Sequence, residues 1–166
     1  GKQVGNSLCE DDFVDTATQL LKQATEVGCE IILPVDTMVA AEFKADAEHK
    51  VIEGDIPDGW EGLDIGPKSA KLFSDKLADA KTIVWNGPMG VFEMEVFAVG
   101  TKAVAVAVAE ATGNGARSVI GGGDSASAIV NMGLEDKVSH ISTGGGASLE
   151  FLEGKQFKFL AILDEK

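Results

Sequence analysis

Three glycine-rich turns, each following a short apolar run, constrain the fold of this chain more than any other feature. The turns occupy residues 86–93, 121–125 and 142–148. Glycine lets the backbone approach an anion closely, and a helix that follows offers unpaired N–H groups and the positive end of its dipole. One such turn is compatible with chance, but three predict a single nucleotide site assembled at one edge of a sheet.

The order of elements around these turns predicts the fold class. The pattern alternates strand, turn and helix, which is typical of an α/β protein with a parallel sheet covered by helices on both faces, a three-layer, Rossmann-like arrangement. A length of 166 residues suits one domain rather than two. The predicted helices span about 11–27, 67–80, 100–112, 125–132 and 147–152, and the predicted strands span 30–35, 39–43, 82–85, 118–120 and 140–142, with an irregular stretch at 51–62.

Composition narrows the possible partners. A net charge of −13 predicts that the chain repels nucleic acid and acidic membranes. No apolar run approaches the ~18 residues that a membrane span requires. Cys9 and Cys29 lack metal-ligand spacing and indicate reduced thiols in a cytoplasmic protein. Arg117 is the only arginine, so this chain cannot supply the bidentate arginines that an enzyme normally needs to hold a small phosphorylated acid, and any second anionic substrate would have to be held elsewhere.

The turn at 121–125 combines glycines with a carboxylate. Gly121, Gly122 and Gly123 permit backbone N–H groups to face a phosphate, while Asp124 and Ser125 stand where a helix cap belongs. A carboxylate beside phosphates repels them unless a cation lies between, so Asp124 is a candidate partner of Mg²⁺, directly or through the nucleotide and water. The alternative, that Asp124 is only an N-cap, stays open.

The turn after the last predicted strand carries no nearby acid. Gly144 and Gly145 precede a predicted helix whose first acidic residue is Glu150. Such a helix start suits a phosphoryl group that carries extra charge in a transition state. The alternative is a tight turn that needs positive φ.

The segment 86–93 differs in kind from the other two. Asn86 offers an amide donor, Pro88 and Val91 offer an apolar wall for a base or sugar, and Glu93 offers an acceptor for ribose hydroxyls. A structural loop with a solvated Glu93 is the alternative interpretation.

Other nucleotide motifs are absent from the sequence or weak. There is no G-x-x-x-x-G-K-[ST] motif. Gly121-x-Gly123-x-x-Ala126 matches the relaxed dinucleotide fingerprint, but no acid ends the strand that follows. A dinucleotide-binding oxidoreductase domain is therefore a weaker hypothesis, which also leaves residues 86–93 unexplained.

Taken together, the segments 84–93, 120–125 and 139–150 resemble the nucleotide-domain signatures of the phosphoglycerate kinase family, in order. Residues 33–36 and 63–68 are similar to that family as well, so the resemblance covers nearly the whole chain. It implies reversible phosphoryl transfer between 1,3-bisphosphoglycerate and ADP, giving 3-phosphoglycerate and ATP with Mg²⁺. It also implies two α/β lobes and in-line transfer without a covalent enzyme intermediate.

The resemblance also implies roles for particular residues. Asp124 is expected to engage the Mg-nucleotide, Glu93 the ribose and Asn86 the phosphates. The full set of implied nucleotide-binding residues is Leu33, Asn86, Pro88, Gly90, Val91, Glu93, Gly121, Gly122, Gly123, Asp124 and Ser125. The residues expected to present amides to phosphates and to the transferring group are Gly122, Gly123, Gly144 and Gly145.

The departures from the family pattern concern what this chain lacks. The resemblance implies that residues 1–166 are part of the C-terminal nucleotide-binding domain, an incomplete lobe without the N-terminal substrate domain and the start of its own domain. We therefore expect the chain alone to be inactive, with 3-phosphoglycerate bound only alongside the missing domain and a monomeric parent enzyme. The alternative is a non-catalytic complementation module that binds ADP or ATP weakly. Residues 156–163 lack the Pro-Gly expected before the final apolar run.

Overall fold

The computed structural model describes residues 2–155. Within them the chain forms two compact units, residues 2–76 with 89–104 and residues 77–88 with 105–155, where the sequence predicted one domain. The α-helices are α1 (Val14–Val27), α2 (Pro67–Ala78), α3 (Val99–Gly113), α4 (Gly123–Asn131) and α5 (Gly145–Leu152). The strands are β1 (Thr37–Ala40), β2 (His49–Ile52), β3 (Glu61–Ile65), β4 (Thr82–Asn86), β5 (Arg117–Gly121) and β6 (His140–Ser142).

The first unit contains a three-stranded antiparallel sheet in the order β2-β1-β3. The sequence predicted only a strand at 39–43 here, and it predicted an irregular stretch where β2 ends and β3 begins. Buried Ala40 and Leu63 from the sheet meet Phe97, which is completely buried, in one apolar cluster. This cluster places the end of β3 beside the residues that lead into α3.

The segment that precedes this sheet corrects one prediction. Residues 29–34 form no regular secondary structure, so the predicted strand at 30–35 is wrong. Ile31, Leu33 and Val35 are exposed, and Ala24 is the single buried side chain that the described structure shows in α1. An apolar run predicts burial, but strand structure also needs a neighbouring strand, and this run pairs with none among residues 2–155.

The second unit contains the predicted parallel sheet, in the order β4-β5-β6. Its strands and the helices that connect them confirm the α/β prediction for this part of the chain. α4 packs against β5 and β6, and its residues Ala128 and Ile129 are fully buried. The sheet therefore has the glycine turns that follow β5 and β6 at its carboxyl edge.

Helix boundaries follow the predictions closely, with informative differences at α4 and α5. Both begin two residues earlier than predicted, so each glycine turn is already part of a helix start. At its C-terminal end, α1 stops at Gly28, which adopts the left-handed conformation (φ 71°). The prediction for residues 156–163 lies outside the described residues. Nowhere in residues 2–155 does a helix combine the length and apolar character needed to cross a membrane.

Candidate nucleotide site

The last residues of three parallel strands lie side by side in the second unit. Asn86 of β4 is in register with Gly121 of β5, and Gly121 is in register with Ser142 of β6. Because these strands run in the same direction, the turns that follow them meet at one edge, where ligands of open α/β sheets bind. The sequence-based expectation that these turns come together is met for this unit.

Two of the turns touch through their glycines. A Cβ atom on Gly145 would lie 2.7 Å from the Cα of Gly122, and a Cβ on Gly122 would lie 2.8 Å from Asn86 Oδ1. The φ angle of Gly122 is also positive, at 91°, which side chains disfavour. Glycine is thus required at this point by both space and backbone conformation, and the Asn86 carboxamide reaches the same point.

The first turn of α4 leaves backbone donors free. The Gly122 N–H donates to the Ser142 carbonyl over 3.0 Å, so that amide is already used within the sheet edge. The first intrahelical bond runs from Ala126 to Gly122, which leaves the N–H groups of Gly123, Asp124 and Ser125 without an intrahelical partner. Among the amides predicted here, those of Gly123 and Asp124 are available to an anion.

Asp124 is not the cap of α4. Gly122 occupies the N-cap position, and Asp124 lies exposed in the first helical turn. Its carboxylate makes no hydrogen bond or ion pair with other residues of the described range. The cap interpretation of Asp124 is therefore wrong, and its side chain remains available beside the free amides.

A second set of free amides begins α5. Gly144 is the N-cap, and the Ser148 N–H makes the first intrahelical bond, to the Gly144 carbonyl. The N–H groups of Gly145, Gly146 and Ala147 therefore lack intrahelical partners. Because α5 has no acidic residue in its first turn, its start favours an anion more strongly than that of α4.

The Gly87-Pro88 turn is fastened by two side chains of the same unit. The indole Nε1–H of Trp85 donates to the Gly87 carbonyl over 2.6 Å. The Gly87 N–H donates to Ser125 Oγ over 2.7 Å. Ser125 is 1% exposed, so its hydroxyl holds this turn from the interior of the unit rather than facing a ligand.

The remaining predicted residues belong to the first unit. Gly90 and Val91 lie in the loop before α3, where the Val91 N–H donates to the Leu63 carbonyl over 2.9 Å. Glu93 is exposed. Leu33 lies in the irregular segment before β1 and is 58% exposed.

Sequence reasoning missed two buried residues that fix this loop. Asp64 Oδ2 accepts a 2.7 Å hydrogen bond from the Gly100 N–H, and Thr101 Oγ1 accepts bonds from the Met89 and Gly90 N–H groups. Burial raises the pKa of Asp64, and the bonds from Gly100 and Ile65 oppose that rise. Asp64 stands within a segment that carried the family resemblance, but nothing in the sequence marks its partners.

The donor set bears on how a metal ion is held. Within residues 2–155 no group of three or more His, Cys, Asp or Glu side chains is arranged to hold a metal. The free carboxylate of Asp124 lies in the first turn of α4, beside the free amides of that helix start. This fits Mg²⁺ that is carried mainly by a nucleotide and engaged by one protein oxygen or its water, because Mg²⁺ commonly keeps waters and substrate phosphates as ligands.

The second unit is an α/β unit with helix starts and glycine turns at the carboxyl edge of its parallel sheet, an arrangement typical of proteins that bind phosphate groups. The phosphoglycerate kinase family model matches residues 1–155. The chain belongs to the phosphoglycerate kinase family.

Named relatives and solved structures agree with this assignment. The phosphoglycerate kinase of Thermosipho africanus is 58% identical over 168 residues, covering 100% of this chain and 42% of the relative. The cytosolic phosphoglycerate kinase of Triticum aestivum is 54% identical over 166 residues, covering 99% of this chain and 41% of the relative. The structure of the Coxiella burnetii enzyme matches with a TM-score of 0.87 and 44% identity, over 93% of this chain and 39% of that one. The Pyrococcus horikoshii enzyme matches with a TM-score of 0.76 and 36% identity, over 90% of this chain and 36% of that one.

The chain thus spans about two fifths of the length of these relatives. The family membership gives no support to the dinucleotide-binding oxidoreductase hypothesis that the fingerprint Gly121-x-Gly123-x-x-Ala126 raised.

Proposed function

We propose that this chain is the nucleotide-binding part of a phosphoglycerate kinase, within the C-terminal domain of that enzyme. The complete enzyme transfers the acyl phosphoryl group of 1,3-bisphosphoglycerate to the terminal oxygen of ADP, giving 3-phosphoglycerate and ATP. The observation that carries the proposal is the contact between Gly122 and Gly145, which brings two helix starts with free amides to one sheet edge. By analogy with the wheat relative, we place the protein in the cytosol.

The phosphate groups are assigned to the helix starts. The amides of Gly123 and Asp124 hold the phosphates of ADP, and those of Gly145 and Gly146 face the transferring group, with Asn86 between them. Developing negative charge on that group is stabilised by donors that are already oriented. Asp124 engages the Mg²⁺ that accompanies the nucleotide, and the ion neutralises phosphate charge that the carboxylate would otherwise repel.

The adenosine part is assigned to apolar and acceptor groups. We assign Pro88, Val91 and Leu33 each to contacts with the base and sugar, as the family resemblance implies, and Glu93 to hydrogen bonds from the ribose hydroxyls. Glu93 supports this assignment because its side chain is exposed. Leu33 does so because more than half of it is exposed although it is apolar.

The second substrate needs a part of the enzyme outside this chain. Arg117 is the first residue of β5, whereas the glycine turns follow the last residues of the strands, so the only arginine stands at the opposite end of that strand. A phosphorylated acid normally requires arginine side chains. We therefore propose that the chain alone has no phosphoglycerate kinase turnover. A coupled assay on the pure chain tests this, and turnover that persists after removal of any full-length enzyme contradicts it.

Calorimetric titration with ADP, with and without Mg²⁺, tests the nucleotide site itself. We expect saturable binding that depends on Mg²⁺ and that Asp124→Ala weakens. Asp136→Ala is the matched control, because Asp136 is also an exposed acid near the start of a short helix of the same unit. Absence of ADP binding, or equal effects of the two substitutions, contradicts the proposal.

A complementation module is the second candidate function. The observation that favours it is the exposed apolar surface of residues 8–35, where Leu8, Phe13 and Val27 are each more than half exposed. Such surface seeks a partner. Sedimentation at increasing concentration distinguishes the cases: self-association supports a module that pairs, and a monomer at every concentration contradicts it.

A further inference from the structure

Three consecutive amides of the loop before α3 have fixed partners in the first unit. The Met89 and Gly90 N–H groups donate to Thr101 Oγ1, over 3.1 Å and 3.3 Å. The Val91 N–H donates to the Leu63 carbonyl over 2.9 Å. The backbone leading to Glu93 is therefore held between the end of β3 and the start of α3.

Asp64 forms the surface against which this loop packs. A Cβ on Gly90 would overlap Asp64 Oδ1 and would lie 2.6 Å from the Leu63 carbonyl. The other carboxylate oxygen of Asp64 accepts from the Gly100 N–H, in the first turn of α3. One buried carboxylate thus caps the helix and contacts the loop at the same time.

Burying the polar side chains of Asp64 and Thr101 lowers the stability of the fold unless hydrogen bonds compensate for the lost contact with water. Asp64 is 5% exposed and Thr101 is 0% exposed, and a buried carboxylate is unfavourable unless hydrogen bonds compensate it. Every hydrogen bond that the described structure gives to the side chains of Asp64 and Thr101 comes from a backbone N–H, of Ile65, Gly100, Met89 or Gly90. The hydrogen bonds of these two side chains therefore hold backbone segments in position and do not pair Asp64 with a charged group.

We propose that Asp64 and Thr101 are positioning residues for nucleoside recognition. They fix the backbone of residues 89–93 so that Val91 and Glu93 meet the base and ribose in one geometry. The inference rests on the proposed function, because Val91 and Glu93 have this role only if the chain binds a nucleotide.

Two substitutions remove the contacts with little change in size. Asp64→Asn presents an NH₂ group to one of two backbone donors, and Thr101→Val removes the acceptor of the Met89 and Gly90 amides. Thr101→Ser keeps that acceptor and serves as the conservative rescue. Ser69→Ala is the control for stability, because Ser69 is a buried residue in the first turn of α2, in the same unit, and its hydroxyl bonds Val35 and Asp36 and not the loop.

The test compares two ligands on the 166-residue chain with Mg²⁺: ADP, which has a nucleoside, and pyrophosphate, which does not. For Asp64→Asn and Thr101→Val we expect ADP affinity to fall about tenfold while pyrophosphate affinity is kept. Amide hydrogen exchange at Met89, Gly90 and Gly100 is expected to accelerate in the same variants. Thr101→Ser and Ser69→Ala are expected to retain the ratio of the two affinities.

The outcomes separate the inference from the function on which it rests. Unchanged ADP affinity in the variants, or equal loss for ADP and pyrophosphate, overturns the positioning role while leaving the nucleotide site intact. A wild-type chain that binds neither ligand overturns the proposed function, and the inference with it.

Discussion

Gly145 lies so close to Gly122 that a Cβ on Gly145 would stand 2.7 Å from the Gly122 Cα. Gly122 is also held from the same side by its N–H bond to the Ser142 carbonyl. The starts of α4 and α5 are therefore joined backbone to backbone, which brings their free amides together. The candidate phosphate site depends on this contact, and the first prediction addresses it.

Gly145→Ala is expected to separate the two turns. Inserting a methyl group into such a contact costs about 1–3 kcal/mol of stability, and ADP affinity should fall because the amides of α4 and α5 no longer converge. Gly146→Ala is the matched control: it is the next residue of the same helix and a Cβ there meets nothing within 4 Å. Thermal unfolding and calorimetry measure both effects, and equal behaviour of the two variants would show that the contact does not matter.

Ser125→Ala is expected to loosen the Gly87-Pro88 turn. The partly buried Gly87 N–H loses its acceptor, which costs about 1 kcal/mol, at the lower end of the range for a buried donor without a partner. Ser127→Ala removes a hydroxyl from the exposed side of the same helix and should change stability by less than about 0.5 kcal/mol. Denaturant unfolding compares them. A Ser125→Ala variant as stable as Ser127→Ala would show that the bond to Gly87 contributes nothing.

Phe97→Ala is expected to destabilise the first unit by about 3–5 kcal/mol, because Phe97 is completely buried and its removal leaves a cavity. Phe43→Ala is the control, since Phe43 is 60% exposed. Urea unfolding of both variants measures the difference. A small effect of Phe97→Ala would contradict the cluster that joins the antiparallel sheet to the residues before α3.

Asp36 and Asp64 are expected to give opposite pH dependences of stability. Burial opposes ionisation of Asp36, but bonds from Ser69 and Lys68 prevail and lower its pKa below 3.8, so its contribution is present above pH 3.8 and is lost as the pH falls through the folded-state pKa. Burial raises the pKa of Asp64 above 3.8, so its contribution is full below that value and declines as the pH rises through the folded-state pKa.

Asparagine variants of the two residues show whether each pH dependence has the expected direction. The free energy of unfolding is measured from about pH 3 to 7 for the wild type, Asp36→Asn and Asp64→Asn. The difference between the wild type and Asp36→Asn should grow with pH, and the difference between the wild type and Asp64→Asn should shrink. The same trend in both series would contradict the opposite directions of the two pKa shifts.

The parallel part of the fold could be predicted because each of its signals is local. Apolar runs end in glycine turns at β4, β5 and β6, and each glycine turn stands beside a helical pattern. The antiparallel sheet was missed because its strands are short and partly polar, such as His49–Ile52, and lie among turn residues. The strand prediction at 30–35 was wrong because an apolar run indicates burial but does not show whether a neighbouring strand is there to pair with it.

The sequence indicated which residues form the candidate site, but it did not indicate the buried contacts that hold those residues in position. Residue type and position after a predicted strand were enough to single out Asn86, Asp124 and Gly145 from the sequence. They did not single out Asp64, because its partner Gly100 is 36 positions away and contributes only a backbone N–H. The hydrogen bond from the Gly122 N–H to the Ser142 carbonyl likewise depends on a tertiary contact, which no local sequence pattern indicates.

The central claim is that ADP phosphates bind at the joined starts of α4 and α5. Titrating the ¹⁵N-labelled chain with MgADP and following the backbone amide resonances tests it most directly. We expect the largest shift changes at Gly123, Asp124, Gly145 and Gly146, with smaller changes elsewhere in the sheet. Saturable changes that avoid these amides, or none at all, would contradict the claim.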